Sequence, residues 1–289
     1  MKKVLLILAS VCVVGLITFR AIHLYEANEA EETTINHALN KGGCLGLKYH
    51  RVRRPTIFNK TVSLVTRSDE LTRYSVYTDD FEEQLQKLKA LDATFVTPEE
   101  LRNYQRDGEF PERCVWISFD DIDRTVYENA FPILEQENVP FTLYVIAGHV
   151  GDNDFQNLQM ATWPQLQEMV DSGLATIGSH TYDMHRLEDD KPLFLHDKDL
   201  KAFRKDLDKS ITTIKDQLNV TPTTFAYPYG NTNDAVARAV KEACFNQADI
   251  LAPQSITPND YPYYLNRIVT NPDTFHAVIL PYLEAQEQG

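Results

Sequence analysis

From Cys44 onward the chain alternates short apolar runs with stretches of helical periodicity, and that alternation restricts its fold more than any other feature. Strand-like runs are CLGLKYH (44–50), ATFVT (93–97), CVWISFDD (114–121), FTLYVIAG (141–148), ATIGSHT (175–181), TFAYPYG (224–230), ADILA (248–252) and LNRIVT (265–270). Between them the apolar residues recur at helical spacing near 79–91, 98–106, 125–137, 162–172, 197–218, 232–243 and 273–285. Strands that alternate with helices over short connections pair in parallel, with helices covering the sheet. Seven or eight such units predict an α/β fold closed into a distorted (β/α) barrel, in one domain over residues 43–289. A barrel of this kind builds its site at the C-terminal ends of its strands. The polar clusters fall there, because His50, Asp120 with Asp121, His180 and Tyr229 each close a strand.

Residues 1–25 follow other rules. Lys2 and Lys3 precede a 16-residue apolar run from Val4 to Phe19, and Arg20 follows it. The segment reads as a signal peptide or an N-terminal membrane anchor that leaves the rest of the chain outside. Small residues spaced for cleavage are missing before Ala21 and Ala27, and Ala21, Ile22 and Leu24 can extend the run, so a retained anchor is expected. Residues 26–42 carry Glu26, Glu29, Glu31 and Glu32 and read as a polar stem. Residues 53–76 mix apolar with basic side chains, which suits either a lid or membrane-facing loop or an irregular excursion packed on the barrel.

Charge removes one class of partner. The chain holds 28 Lys plus Arg against 42 Asp plus Glu, a net charge of -14 with no long basic run, so nucleic acid is excluded. Of the four cysteines, Cys12 lies in the apolar run, and Cys44, Cys114 and Cys244 lack the close pairing of structural zinc sites. Cys44 and Cys114 each open an apolar run, and buried thiols rather than a disulfide framework are expected.

Four segments carry chemistry. Adjacent carboxylates close an apolar strand at Asp120 and Asp121, and neighbours on a strand point oppositely, so one can bind a metal while the other acts as a base. His180 and His185 stand five apart, which suits neither one helix face nor one strand face but suits a loop leaving a strand end. Pro228 and Gly230 shape a tight turn that can aim backbone N–H groups into a site, and His50 closes the first strand. Each segment alone also has an ordinary reading, as a helix cap, a surface loop, an aromatic turn or a structural histidine.

Together, D-D at 120–121, H-T-x-x-x-H at 180–185 and Y-P-Y-G at 227–230 resemble the polysaccharide deacetylases of carbohydrate esterase family four, the NodB homology fold, over about residues 43–285. The resemblance implies Asp120 as general base and Asp121, His180 and His185 as ligands of a divalent metal, zinc by default with cobalt, nickel or iron also accommodated. It implies a circularly permuted branch in which the acid histidine lies near the N-terminus, here His50. The family's usual motif arginine is missing from Ala226-Tyr227-Pro228-Tyr229, and Arg267 is the candidate to hold Asp120 instead. The Tyr229 backbone N–H would help to hold the oxyanion. The implied substrate is poly-β-1,6-N-acetyl-D-glucosamine of biofilm matrix, partly deacetylated outside the cell. Peptidoglycan or chitin oligomers are the alternative substrates, and the missing arginine leaves open a catalytically inert glycan-binding protein. Oligomeric state is not legible.

Overall fold

The computed structural model of the chain describes residues 39, 42–55 and 73–286. The anchor or signal segment, the stem apart from residues 39 and 42, and residues 56–72 of the long loop lie outside these. Among the described residues no helix is long and apolar enough to cross a membrane.

The strands, in chain order, are β1 (Leu45–Tyr49), β2 (Arg51–Arg53), β3 (Ser75–Tyr77), β4 (Thr94–Phe95), β5 (Cys114–Asp121), β6 (Phe141–Val145), β7 (Ala175–Ser179), β8 (Leu187–Glu188), β9 (Lys191–Pro192), β10 (Thr224–Ala226), β11 (Gln247–Asp249) and β12 (Ile268–Val269). Eight of them form one parallel sheet in the order β11-β10-β7-β6-β5-β1-β12, with β4 paired to β5. β2 pairs with β3 and β8 with β9, outside the sheet. The two edges of the sheet meet through residues 265–267. The Leu265 N–H donates to the Ala248 carbonyl (3.0 Å), the Ile250 N–H to Leu265 (2.9 Å) and the Ala252 N–H to Arg267 (3.2 Å). One residue beyond Arg267 the same segment becomes β12 and pairs with β1. A short irregular seam therefore completes the expected distorted barrel, and Arg267 sits in that seam.

Helices cover the outside: α1 (Thr78–Ala90), α2 (Pro98–Asp107), α3 (Phe131–Glu137), α4 (Trp163–Asp171), α5 (Leu200–Leu218), α6 (Asp234–Glu242) and α7 (Leu280–Ala285). Local chemistry fixes their ends. At α2 the Thr97 and Glu100 side chains form a reciprocal capping box, Pro98 takes the first turn, and Gly108 adopts φ 87° at the C-cap.

Alternation along each strand separates two interiors. Leu47 and Tyr49 of β1, Ile117 and Phe119 of β5, and Leu143 and Val145 of β6 pack outward against the helices, with Phe81, Leu85 and Leu88 of α1. Trp116, Tyr144, Ala226 and Leu265 fill the barrel interior. Ser118 and Asp120 follow Trp116 on the inner face of β5. Gly46, Lys48 and His50 occupy alternate positions of β1 and its end.

Cys44 and Cys114 form a disulfide, which corrects the expectation of separate buried thiols. The cause is register. Leu45 of β1 lies opposite Val115 of β5, so the preceding residues stand side by side with Cα atoms 4.6 Å apart. Their separation of 70 residues shows nothing of this, because strand order is a tertiary fact. Cys244 is free and exposed.

Candidate active site

Asp120 is fully buried in the last turn-in of β5, where an isolated carboxylate costs several kcal/mol. Two cations meet it. Arg267 Nη1 donates to Oδ1 (2.7 Å) and Nη2 to Oδ2 (3.1 Å), while Lys48 Nζ stands 3.0 Å from Oδ2. Arg267 Nη1 also donates to Ser118 Oγ (3.0 Å), and its guanidinium lies 4.9 Å from the centre of the Tyr144 ring. Burial alone would raise the Asp120 carboxyl, but Arg267 and then Lys48 outweigh it and hold the group well below the ordinary carboxylate range. The passage of Arg267 to this point requires Gly46, since a Cβ there would lie 2.7 Å from the Asn266 carbonyl and 3.1 Å from Arg267 Cγ.

Asp121 leaves the strand by turning left-handed, with φ 64°, and Ile122 follows at φ 67°. That turn redirects a side chain that simple alternation would send outward. Its Oδ1 lies 3.2 Å from His185 Nε2 and 3.6 Å from His180 Nε2. The His180 Nδ1 sits 2.7 Å from the Ala226 carbonyl, which fixes Nδ1–H as the donor and leaves the Nε2 lone pair facing Asp121. Burial lowers the His180 pKa to about 4, so the ring is neutral and able to ligate. Burial would raise the Asp121 carboxyl, but the histidines around it, His185 first, outweigh burial and hold the group below its usual value.

One ligand atom from each of Asp121, His180 and His185 lies within 4.8 Å of the others, and among the described residues this is the one such group. Asp121 Oδ1 is buried without a hydrogen-bond donor. Two imidazole nitrogens converging on an orphaned carboxylate oxygen fit a divalent cation. Thr181, directly after His180, has φ 78°, and Tyr229 has φ 62°. Each non-glycine residue in this region costs about 1–2 kcal/mol, and such strain gathers where side chains must be aimed.

The remaining residues expected from the sequence also reach the site. The Tyr229 ring lies 4.7 Å from His185, and burial raises its phenol to about 12, so it stays protonated. His50 packs edge-on against Tyr74, with centroids 4.8 Å apart. Burial and then the Lys48 ammonium push its pKa well below the histidine value, against the pull of Asp121 and Asp120. The ring therefore rests neutral, which differs from the protonated acid the sequence suggests. The physical reason is burial first and then Lys48, two residues away on the same face of β1.

Two participants escape sequence reasoning. Lys48 reads as one polar residue in an apolar strand, and only the β1–β5 register brings it to Asp120. Asp249 of β11 is fully buried and accepts a hydrogen bond from the Tyr144 hydroxyl, which also pairs with Thr224 Oγ1 at 2.7 Å. A usable signal existed for Lys48. A lysine two residues before a strand-end histidine must share its face, and a buried ammonium demands an anion.

Comparison with known proteins places this geometry. The model of the polysaccharide deacetylase family matches residues 107–248. A poly-β-1,6-N-acetyl-D-glucosamine N-deacetylase of Staphylococcus aureus (strain MRSA252) is 36% identical over 278 residues, which cover 96% of this chain and 95% of that protein. The chain belongs to the polysaccharide deacetylase family. Its curated relatives include the protein of the same description in Staphylococcus epidermidis, 36% identical over 87% of each chain. Among solved structures, IcaB from Ammonifex degensii aligns with TM-score 0.75 and 31% identity, over 85% of this chain and 99% of that one. The deacetylase PplD of Streptococcus pyogenes, 23% identical with TM-score 0.67, shares the fold. This deacetylase is thus a hydrolase of acetamide C–N bonds on a distorted parallel barrel.

Proposed function

We propose that the chain removes acetyl groups from poly-β-1,6-N-acetyl-D-glucosamine, with Asp121, His180 and His185 holding a divalent ion, zinc by default. The observation that carries the reading is the three-ligand cradle beside a carboxylate that two cations keep ionised. Relatives named for this reaction match nearly the full chain.

An ion bound in the cradle supplies the charge that acidifies water toward a pKa of about 7 and polarises the amide carbonyl. Asp120, ionised and oriented by Arg267, accepts the proton of the attacking water. As negative charge develops on the adduct, it raises the proton affinity of the neighbouring His50, which otherwise rests neutral and now takes up the proton that Asp120 removed from the water. His50 then delivers a proton to the departing nitrogen, and the C–N bond breaks to acetate and a free amine. The Tyr229 backbone N–H, in its left-handed turn, is the proposed donor to the oxyanion. Arg267 supplies the hold on the base for which residues 226–229 carry no arginine, which weighs against an inert glycan-binding protein.

The same proposal places the domain outside the cell, tethered through residues 1–25. The Lys2, Lys3 and apolar-run pattern supports it, as does the Cys44–Cys114 disulfide, since such bonds persist in oxidising compartments. Protease added to intact cells is expected to digest the domain, and protection of the domain would refute the location. Metal-loaded chain is expected to release acetate from the β-1,6 polymer roughly tenfold or more faster than from β-1,4 chitin or peptidoglycan oligomers. Faster release from the β-1,4 oligomers overturns the substrate assignment.

A further inference from the structure

The geometry points to Lys48 as a positioning residue for the base, a role that rests on the deacetylase reading above and adds a residue to it. Arg267 alone suffices to pair with Asp120, for it reaches both carboxylate oxygens. A second buried cation in the same place costs desolvation that pairing only partly offsets. Lys48 is 4% exposed, and Asp120 is its one ion-pair partner among the described residues. What the ammonium adds is selectivity between the two oxygens. Oδ1 belongs to Arg267 and, through it, to Ser118. Oδ2 is the oxygen that faces the metal cradle, 3.9 Å from His180 Nε2, and Lys48 binds that oxygen.

The two cations approach from different segments, the seam and β1, and so restrain different motions. Arg267 comes from the barrel seam and fixes the plane of the carboxylate. Lys48 comes from β1 and stops Oδ2 from rotating out of reach of the attacking water. The pattern is written on one face of β1, where Gly46 admits Arg267, Lys48 takes Oδ2, and His50 ends the strand as the proposed acid. Acid and base thereby share a reference frame, because the residue that aims the base stands two positions from the acid.

The test uses the full chain with its metal content measured. Lys48→Met keeps the apolar stem and removes the charge. It is expected to retain metal and cooperative unfolding, to lower kcat about a hundredfold, and to leave KM within about twofold, the pattern of a group that acts on the transition state alone. Lys48→Ala is expected to regain activity saturably on adding ethylammonium and not on adding tetramethylammonium, which cannot donate a hydrogen bond. A folded, metal-loaded Lys48→Met with kcat within about twofold of wild type overturns the proposal, as does Lys48→Ala that ethylammonium leaves unchanged. Should wild type release no acetate from any glycan, the functional reading fails by itself. The crystal structure of Lys48→Met then decides the positioning role, which stands if Asp120 Oδ2 swings away from His180 and falls if the carboxylate keeps its wild-type orientation.

Discussion

Asp120 and Asp121 are neighbours in the chain, yet they stand in two regions built on opposite plans. Asp120 lies within regular extended backbone, and its partners come from the adjacent strand β1 and from the seam. Asp121 lies one residue later in left-handed backbone, and its partners His180 and His185 come from the end of β7 and the loop beyond. The clamp around Asp120 is a closed set of charges, two cations held on one carboxylate. The cradle around Asp121 is an open set of lone pairs facing one point. Residues that must stay charged are thus placed where the sheet immobilises them, and residues that must share an ion are placed where chain ends can be aimed at it.

The largest effect separates the two carboxylates directly. Asp120→Asn is expected to lower acetate release roughly 10³-fold with metal content unchanged, as loss of a general base does. Asp121→Asn is expected to lose bound metal along with activity. Equal metal loss in both variants, measured by elemental analysis, would erase the distinction drawn between clamp and cradle.

Arg267→Met tests whether the clamp is structural as well as chemical. Removing one partner of a buried charge set costs about 3–5 kcal/mol, to be read from urea unfolding at neutral pH. Replacing Cys44 and Cys114 together by serine removes a link across 70 residues at the foot of β1 and β5, a loss of about 4 kcal/mol by loop-closure entropy. Because the disulfide lies at the opposite end of these strands from Asp120, kcat of the folded variant should stay near wild type. A matching fall in kcat would show that the clamp depends on the strand feet.

The smallest effect is a slope. Burial pushes the Asp249 carboxyl up to about 7, against Arg267 and Tyr144, which pull it down. The unfolded chain titrates near the ordinary aspartate value of about 3.9, so between about pH 4 and pH 7 the folded protein binds the extra proton. Stability contributed by this group is therefore present at low pH and lost as pH rises through that window. Asp249→Asn should flatten the curve by an amount on the order of 1 kcal/mol per pH unit. His180, lowered to about 4, slopes the other way and cancels when the variant is subtracted from wild type. An unchanged difference curve would show that Asp249 does not titrate in this range.

Much of this was legible before any coordinates. The strand-like run 114–121 is β5 residue for residue, and the helix expected near 98–106 is α2 with one residue added. Those segments are legible because burial and capping are local. His180 and His185 pointed to a loop because their spacing fits neither periodicity, and they do flank one. The late run LNRIVT shows the limit, for only Ile268–Val269 form regular ladder while Leu265–Arg267 bond to the opposite edge.

The sequence by itself determined the parallel α/β barrel, the strand ends that carry the chemistry, and the donor types for a metal and a base, since these follow from periodicity and side-chain chemistry within a few residues. Tertiary structure alone decided the disulfide, the pairing of Lys48 with Asp120, the turn that brings Asp121 inward, and the resting charge of His50. The disulfide and the Lys48–Asp120 pair depend on strand order, and the charge of His50 depends first on burial by the folded barrel, none of which is encoded in local spacing.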